Sequence, residues 1–255
     1  DTSAGTCPIV VTRTYTITDA CGNFTTATQT INIEDKTAPV VTGTITAANA
    51  EGCAASAAPA AVTTVAALEG MGLTIADACT PDATLVVTSA DTSAGTCPIV
   101  VTRTYTITDT CGNFTTATQT INIQDTTAPV VTGTITAANV QGCSAAVAPA
   151  AVTTVAALEG MGLTIADACT PDATLVVTSA DTSAGTCPIV VTRTYTITDA
   201  CGNFTTATQT INIEDKTAPV VTGTITAANA EGCAASAAPA AVTTVAALEG
   251  MGLTI

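Results

Sequence analysis

Four short motifs hold all eleven cysteines of this chain: Asp-x-Cys-Gly-Asn at 19–23, 109–113 and 199–203, Thr-Cys-Pro at 6–8, 96–98 and 186–188, Gly-Cys at 52–53, 142–143 and 232–233, and Asp-Ala-Cys at 77–79 and 167–169. A thiol in such a setting can be a nucleophile, a metal ligand or half of a disulfide. Nucleophilic use needs a base or cation that activates the thiol, and the chain has no His. Zinc sites recruit CxxC or His-bearing ligand sets, and neither occurs. Recurrent, widely spaced Cys in a Lys-poor chain therefore reads as disulfides made in an oxidising compartment. With no nucleophile–base set and no phosphate loop, no catalysis is expected.

The carboxylates beside these motifs suggest a second chemistry. Asp167, Asp172 and Asp199 are expected at one pole of a folded unit, with Asp125 arriving beside them. Such an oxygen-rich cluster suits Ca²⁺, which takes six to eight oxygen ligands. The competing reading is that each Asp caps a turn through its own side chain, and no DxDxDG loop is present. Asn23, Asn113 and Asn203 each begin an Asn-Phe-Thr triplet that matches the N-x-Thr sugar acceptor. Arg103 falls on the inward face of a strand, where arginine pairs with a carboxylate; Glu69 is the expected partner.

The elements that position these residues repeat. DTSAGTCPIVVTRTYTITD begins at 1, 91 and 181, and residues 1–75 and 181–255 are identical. The intervening copy differs at eight places: Thr110, Gln124, Thr126, Val140, Gln141, Ser144, Ala146 and Val147. Two repeat types thus alternate with a period of 90 residues, too long for a solenoid coil and suited to a small autonomous domain. EDKTAPVV and QDTTAPVV read as linkers, giving boundaries after Asp35, Asp125 and Asp215. The expected domains are 1–35 (C-terminal part of a repeat), 36–125 and 126–215 (complete), and 216–255 (N-terminal part). A chain that begins mid-pattern at Asp1 is expected to be an excerpt of a longer polymer.

Within 36–125, PVVTGTITA, GLTIADA and TLVVTSA read as strands, CAASAAPA as a short edge strand or loop around Pro59, and TTVAALEGMG as one or two helical turns with a Thr cap. IVVTRTYTITD and FTTATQTINI alternate with period two and form a hairpin around the Asp-x-Cys-Gly-Asn tip. Ile99, Val101, Arg103, Tyr105 and Ile107 share one face. The expected fold is all-β: a tandem array of Ig-like β-sandwich domains.

This layout sorts the cysteines. Cys97 and Cys111 flank a single strand, and fourteen residues at about 3.3 Å each hold them roughly 45 Å apart, far beyond the reach of a disulfide. Cys79 and Cys97 also fall at opposite ends. Pairing within the domain then leaves Cys53–Cys97 and Cys79–Cys111, with Cys143–Cys187 and Cys169–Cys201 in the next repeat. Each domain would be stapled by two disulfides, and the linker would lie between the Cys53/Cys97 pole of one domain and the Cys79/Cys111 pole of the next. Most of the eight substitutions would then crowd one pole, as alternating charged and neutral junctions.

TAPVV, GC, DAC, TCP, RTYTITDACGN and TQTINI, in this order, resemble the hyalin-repeat (HYR-like) and related Ig-like modules of giant bacterial surface adhesins, especially in Bacteroidetes. The resemblance covers every repeat. It implies a secreted, cell-surface or matrix protein whose modules act mostly as spacers.

Composition narrows the partners. A net charge of −15 with only five cations excludes nucleic acid. The longest apolar stretch is too short to span a bilayer. The expected function is a structural extracellular stalk, adhesin shaft or filament whose partners are copies of itself. The alternative is a calcium-assisted adhesion module that binds glycans or neighbouring cells.

Overall fold

A computed structural model describes all 255 residues. Strands take up 44% of the chain and helical turns 13%, in repeated β-sandwich-like units of about 90 residues. No helix is long and apolar enough to cross a membrane. The chain divides into two compact units, one formed by Asp1–Ile135, Val152–Ser179 and Tyr195–Ala207, the other by Thr136–Ala151, Ala180–Thr194 and Thr208–Ile255.

The first unit opens with β1 (Thr2–Ala4), β2 (Ile9–Thr18) and β3 (Phe24–Ile33), an antiparallel sheet in that order. A whole repeat follows: β4 (Val40–Gly43), β5 (Ala48–Glu51), α1 (Val65–Gly70), β6 (Leu73–Ala76), β7 (Val86–Ala94), β8 (Ile99–Thr108) and β9 (Phe114–Gln124). β4 pairs with β6, while β5, β9, β8 and β7 form a four-stranded sheet in that order. Period-two alternation decides which face is buried: Val101, Arg103, Tyr105 and Ile107 of β8 point inward with Ile121 and Ile123 of β9. Tyr105, Ile107, Leu85 and Val87 pack against Ile75, Leu73, Leu68 and Val65 from β6 and α1. Burying a side chain of this class stabilises by about 1.5–3 kcal/mol.

The expected elements appear, with three differences. The helical turn is α1, capped as anticipated by Thr64, whose hydroxyl accepts from Ala67 N at 3.3 Å. CAASAAPA instead makes a 3₁₀ turn at Ala55–Ala57. ANAE forms the unanticipated strand β5, which pairs in parallel with the end of β9, Glu51 opposite Gln124. TLVVTSA continues through Asp91 to Ala94 as β7, which sets Asp91 directly opposite Arg103. Arg103 therefore pairs with Asp91, Nε to Oδ1 and Nη2 to Oδ2 both at 2.8 Å, and its Nη1 donates to Pro59 O at 2.7 Å. Glu69 serves another purpose: its Oε1 accepts from Ile75 N at 3.3 Å.

The next repeat contains β10 (Val130–Gly133), β11 (Ala138–Gln141), α2 (Val155–Glu159), β12 (Leu163–Ala166), β13 (Val176–Ala184), β14 (Ile189–Thr198) and β15 (Phe204–Glu214), with sheet order β11-β15-β14-β13. In the second unit β11 pairs in parallel with the end of β15, Gln141 opposite Glu214, around a core of Val191, Ile211 and Ile213. Its last segment holds β16 (Thr222–Gly223), α3 (Val245–Gly250) and β17 (Leu253–Thr254).

The disulfides differ from expectation in one decisive respect. The bonded pairs are Cys7–Cys111, Cys53–Cys169 and Cys97–Cys201, with Cα–Cα separations of 5.2, 4.9 and 5.3 Å. Each joins one repeat to the next, and none lies within a repeat. Cys53–Cys97, Cys79–Cys111, Cys143–Cys187 and Cys169–Cys201 are not formed, and Cys79, Cys143 and Cys187 are free thiols. Sheet order explains the failure at one pole. Cys53 follows the edge strand β5, whereas Cys97 lies between β7 and β8, two to three strand spacings away or roughly 10–14 Å; a disulfide needs Cα atoms within about 7 Å. At the other pole Cys111 is already bonded to Cys7 of the preceding repeat.

Candidate metal centre

The Asp-x-Cys-Gly-Asn tip folds around its aspartate. Between β8 and β9, Asp109 Oδ1 accepts from Cys111 N and Asn113 N, both at 2.8 Å, and Asp109 N donates to Asn113 O at 2.9 Å. Gly112 takes a φ of 90°, a conformation that only glycine adopts without cost. Asn113 Nδ2 donates to Asp109 Oδ2 at 2.7 Å and to Asp35 O of the linker at 3.1 Å. One repeat later the arrangement recurs: Asn203 Nδ2 donates to Asp199 Oδ2 at 2.7 Å and to Asp125 O at 3.0 Å. Both hydrogens of each amide are thus committed. The geometry makes Asn113 and Asn203 pins that hold the linker to the hairpin tip. Asn23 is exposed and donates to Asp19 Oδ2 at 2.9 Å.

Asp-Ala-Cys folds by the same device. Asp167 Oδ1 accepts from Cys169 N at 2.9 Å and Thr170 N at 2.6 Å, and Asp125 Oδ1 accepts from Thr127 N at 3.0 Å. These turns aim three carboxylates at one point. A carboxylate oxygen from each of Asp125, Asp167 and Asp199 lies within 4.8 Å of the other two, and Asp35, Asp77 and Asp109 form the equivalent group one repeat earlier. Asp172 is not among them; it opens an exposed 3₁₀ turn at Asp172–Thr174. Three of the four expected ligands therefore converge, and the fourth is removed.

Turn capping alone does not account for this site. Capping uses one oxygen of Asp125 and one of Asp167; the Oδ2 atoms of both, and of Asp35 and Asp77, are buried with no hydrogen-bond partner. Asp125 is only 3% exposed and Asp199 5%. A buried carboxylate oxygen without a donor is costly, and a cation supplies what it lacks. Burial pushes the Asp125 carboxyl above its ordinary range, with the charges of Asp167, Asp199 and Glu51 adding to it. Asp109 is lowered despite its burial, because Asn113 and the backbone N–H groups of Asn113, Cys111 and Gly112 hold its charged form. Three hard oxygens and a local charge of −3 fit a hard divalent ion such as Ca²⁺, with backbone or water oxygens completing the shell.

The disulfides frame this cluster. Asp167 and Asp199 each stand two residues before a bridging cysteine, Cys169 or Cys201, and Asp125 is the linker between the joined repeats. Cys79 is not activated: the charge of Asp35 raises its thiol pKa, as a hydrogen bond to Asp215 does for Cys143. Two participants had no clear sequence signal, Asn113/Asn203 as pins and Glu51, whose carboxylate accepts from Thr126 N at 2.9 Å and Thr126 Oγ1 at 2.7 Å beside Asp125.

No known family model matches the chain, and no curated protein matches it. Among solved structures it is similar to the protocadherin GammaB4 extracellular domain, at 10% identity and a TM-score of 0.33 over 84% of this chain and 40% of that one. It is also similar to the protocadherin gammaB7 EC3-6 cis-dimer structure, at 11% and 0.32 over 84% and 60%. The human desmocollin-1 ectodomain gives 13% and 0.24 over 88% and 50%. The chain spans 40–60% of the length of these structures. These superpositions are loose, and the fold rests on the chain's own strand pairing.

Proposed function

We propose that this is a structural extracellular repeat protein, the shaft of a stalk, surface adhesin or filament, with repeats bounded after Asp35, Asp125 and Asp215 and joints locked by disulfides and Ca²⁺. One observation carries the reading: Cys7–Cys111 and Cys97–Cys201 join successive repeats with the same separation of 104 residues. A bond within a repeat would stabilise a bead, whereas a bond between repeats stabilises the joint, which is what a shaft under load requires. The motif resemblance to hyalin-repeat modules supports a secreted or surface location on a bacterium.

A second reading is a calcium-assisted adhesion module, favoured by Phe114 and Phe204, which are 61% and 62% exposed at the hairpin tips, where an aromatic face can meet a glycan or a neighbouring surface. Negative-stain microscopy of native material, with and without reductant, tests the choice. Long fibres with a beaded axial repeat that slacken on reduction support the shaft. Short rods that bind cells, lose binding on Phe114→Ala, and are indifferent to reductant support the adhesin and overturn the shaft.

A further inference from the structure

Seven of the eight substitutions that distinguish the two repeat types fall in two short stretches, 124–126 and 140–147. Glu51 stands opposite Gln124 across the β5–β9 pair, and Gln141 stands opposite Glu214 across β11–β15. The exchange is therefore compensated: each pair keeps one acid and one amide and avoids two carboxylates face to face. Ala57 and Val147 lie over Gly52 and Gly142, where an added Cβ would collide with them. Position 126 changes in step, Thr126 after the first repeat type and Lys216 after the second.

What the exchange alters is the linker aspartate. After the Glu51 repeat, the Glu51 carboxylate has no hydrogen to offer Asp125; it binds Thr126 N, Thr126 Oγ1 and, at 3.4 Å, Thr127 Oγ1. Asp125 Oδ2 remains buried without a donor. After the Gln141 repeat, Gln141 Nε2 donates to Asp215 Oδ1 at 2.8 Å, and Lys216 pairs with Glu214 at 3.3 Å. Asp125 thus stands beside an acid that has no hydrogen to give it, whereas Asp215 receives an amide N–H beside a neutralised pair.

We propose that the residue at position 51 or 141 selects the junction type, so that divalent-cation sites alternate along the array. A joint that follows a Glu51-type repeat binds the ion more tightly than one that follows a Gln141-type repeat. This rests on the Ca²⁺ reading given above. Calorimetric titration of the oxidised chain with Ca²⁺ tests it, using Glu51→Gln, the charge-conserving Glu51→Gln/Gln124→Glu, and Asp125→Asn to mark the site. Removing one nearby charge and adding an amide donor weakens the Asp125 site by roughly 3- to 10-fold in low salt, less at 0.15 M. The charge-conserving pair is expected to weaken it less, because the acid stays next to Asp125 and only the amide donor is gained. If Ca²⁺ binds and one of its sites is lost with Asp125→Asn while both Glu51 variants match wild type, the alternation is overturned and the Ca²⁺ reading stands. If wild type takes up no Ca²⁺, both fall.

Discussion

The pairing across repeats makes a quantitative prediction for the joint between 36–125 and 126–215, which two bridges span. Removing Cys97–Cys201 as Cys97→Ser/Cys201→Ser leaves Cys53–Cys169 in place. The ring that the lost bond closes then runs through the surviving bridge: 44 residues separate Cys53 from Cys97, and 32 separate Cys169 from Cys201. Closing a ring of that size constrains the unfolded chain by about 4.5 kcal/mol in the chain-entropy model. Losing the second bridge as well, which closes 116 residues, brings the total to about 9 kcal/mol. For a cooperative body of this size, the first loss should lower Tm by about 10–15 °C. Calorimetry on oxidised wild type and variant measures the shift, and a tryptic map verifies the pairing. Trypsin cuts after Arg13, Lys36, Arg103, Arg193 and Lys216, so Cys7 lies in peptide 1–13, Cys97 in 37–103, Cys111 in 104–193 and Cys201 in 194–216. Without reduction, 1–13, 37–103, 104–193 and 194–216 should run as one linked species, because Cys53–Cys169 also joins 37–103 to 104–193, and the variant should release 194–216. Release of 1–13 from the unreduced digest, or a variant that melts with wild type, would refute the reasoning.

Three further outcomes are expected. Arg103 is 5% exposed and bidentate to an Asp91 that stays solvent-accessible, so Arg103→Ala, which loses the packed stem and the charge-assisted hydrogen bonds, should cost about 1.5–3 kcal/mol in urea unfolding. The equivalent Arg13–Asp1 pair is exposed on both sides, so Arg13→Ala should cost less than about 1 kcal/mol. Asp91 and Asp181 are held below the ordinary carboxylate range by hydrogen bonds from Arg103 and Arg193. Their stabilisation is complete above the unfolded value of about 3.9 and is lost as pH falls through the lower folded values, so a melting series should show their loss only in strong acid. Because both amide hydrogens of Asn113 and Asn203 are committed, intact mass of native protein should show no sugar there, and Asn203→Ala should destabilise by about 1–3 kcal/mol.

Much of the scaffold was legible because its signals are local. Period-two alternation in IVVTRTYTIT, the Thr64 cap and the glycine of the hairpin tip each depend on a few neighbouring residues. What could not be read depended on register or on a neighbouring repeat. Asp91 was missed as the partner of Arg103 because Thr92 and Ser93 do not look like strand, yet β7 runs on to Ala94 because β8 offers a ladder to pair with. Strand β5, with the sequence ANAE, has weak β-propensity and exists because the end of β9 accepts it in parallel. The disulfide bonds are not legible, because a period of 90 residues permits the same cysteine to reach its own repeat or the next one. Strand spacing across the four-stranded sheet excludes the first choice at the Cys53/Cys97 pole, and spacing is a property of sheet order that no motif displays.

The same reasoning explains why acid, amide and thiol sit together in this chain. A linker that carries Asp125 between two folded units would swing freely if only its backbone held it. Asn203 ties its carbonyl to the next hairpin tip, and Glu51 ties the following residues to the preceding sheet. Two disulfides then limit the distance over which either contact can open. Each contact taken alone is weak: a hydrogen bond contributes about 1 kcal/mol net, and a solvent-exposed charged group less than that. Their combination is strong because the covalent bonds keep the effective concentration of every partner high, so that breaking one contact leaves the others in reach. A cation held by the carboxylate cluster, as proposed above, would add to this arrangement by neutralising the repulsion that otherwise opposes it. Reduction and chelation should therefore act more than additively on the joint, and a calorimetric series in which the two treatments simply sum would show that disulfides and carboxylates are independent devices.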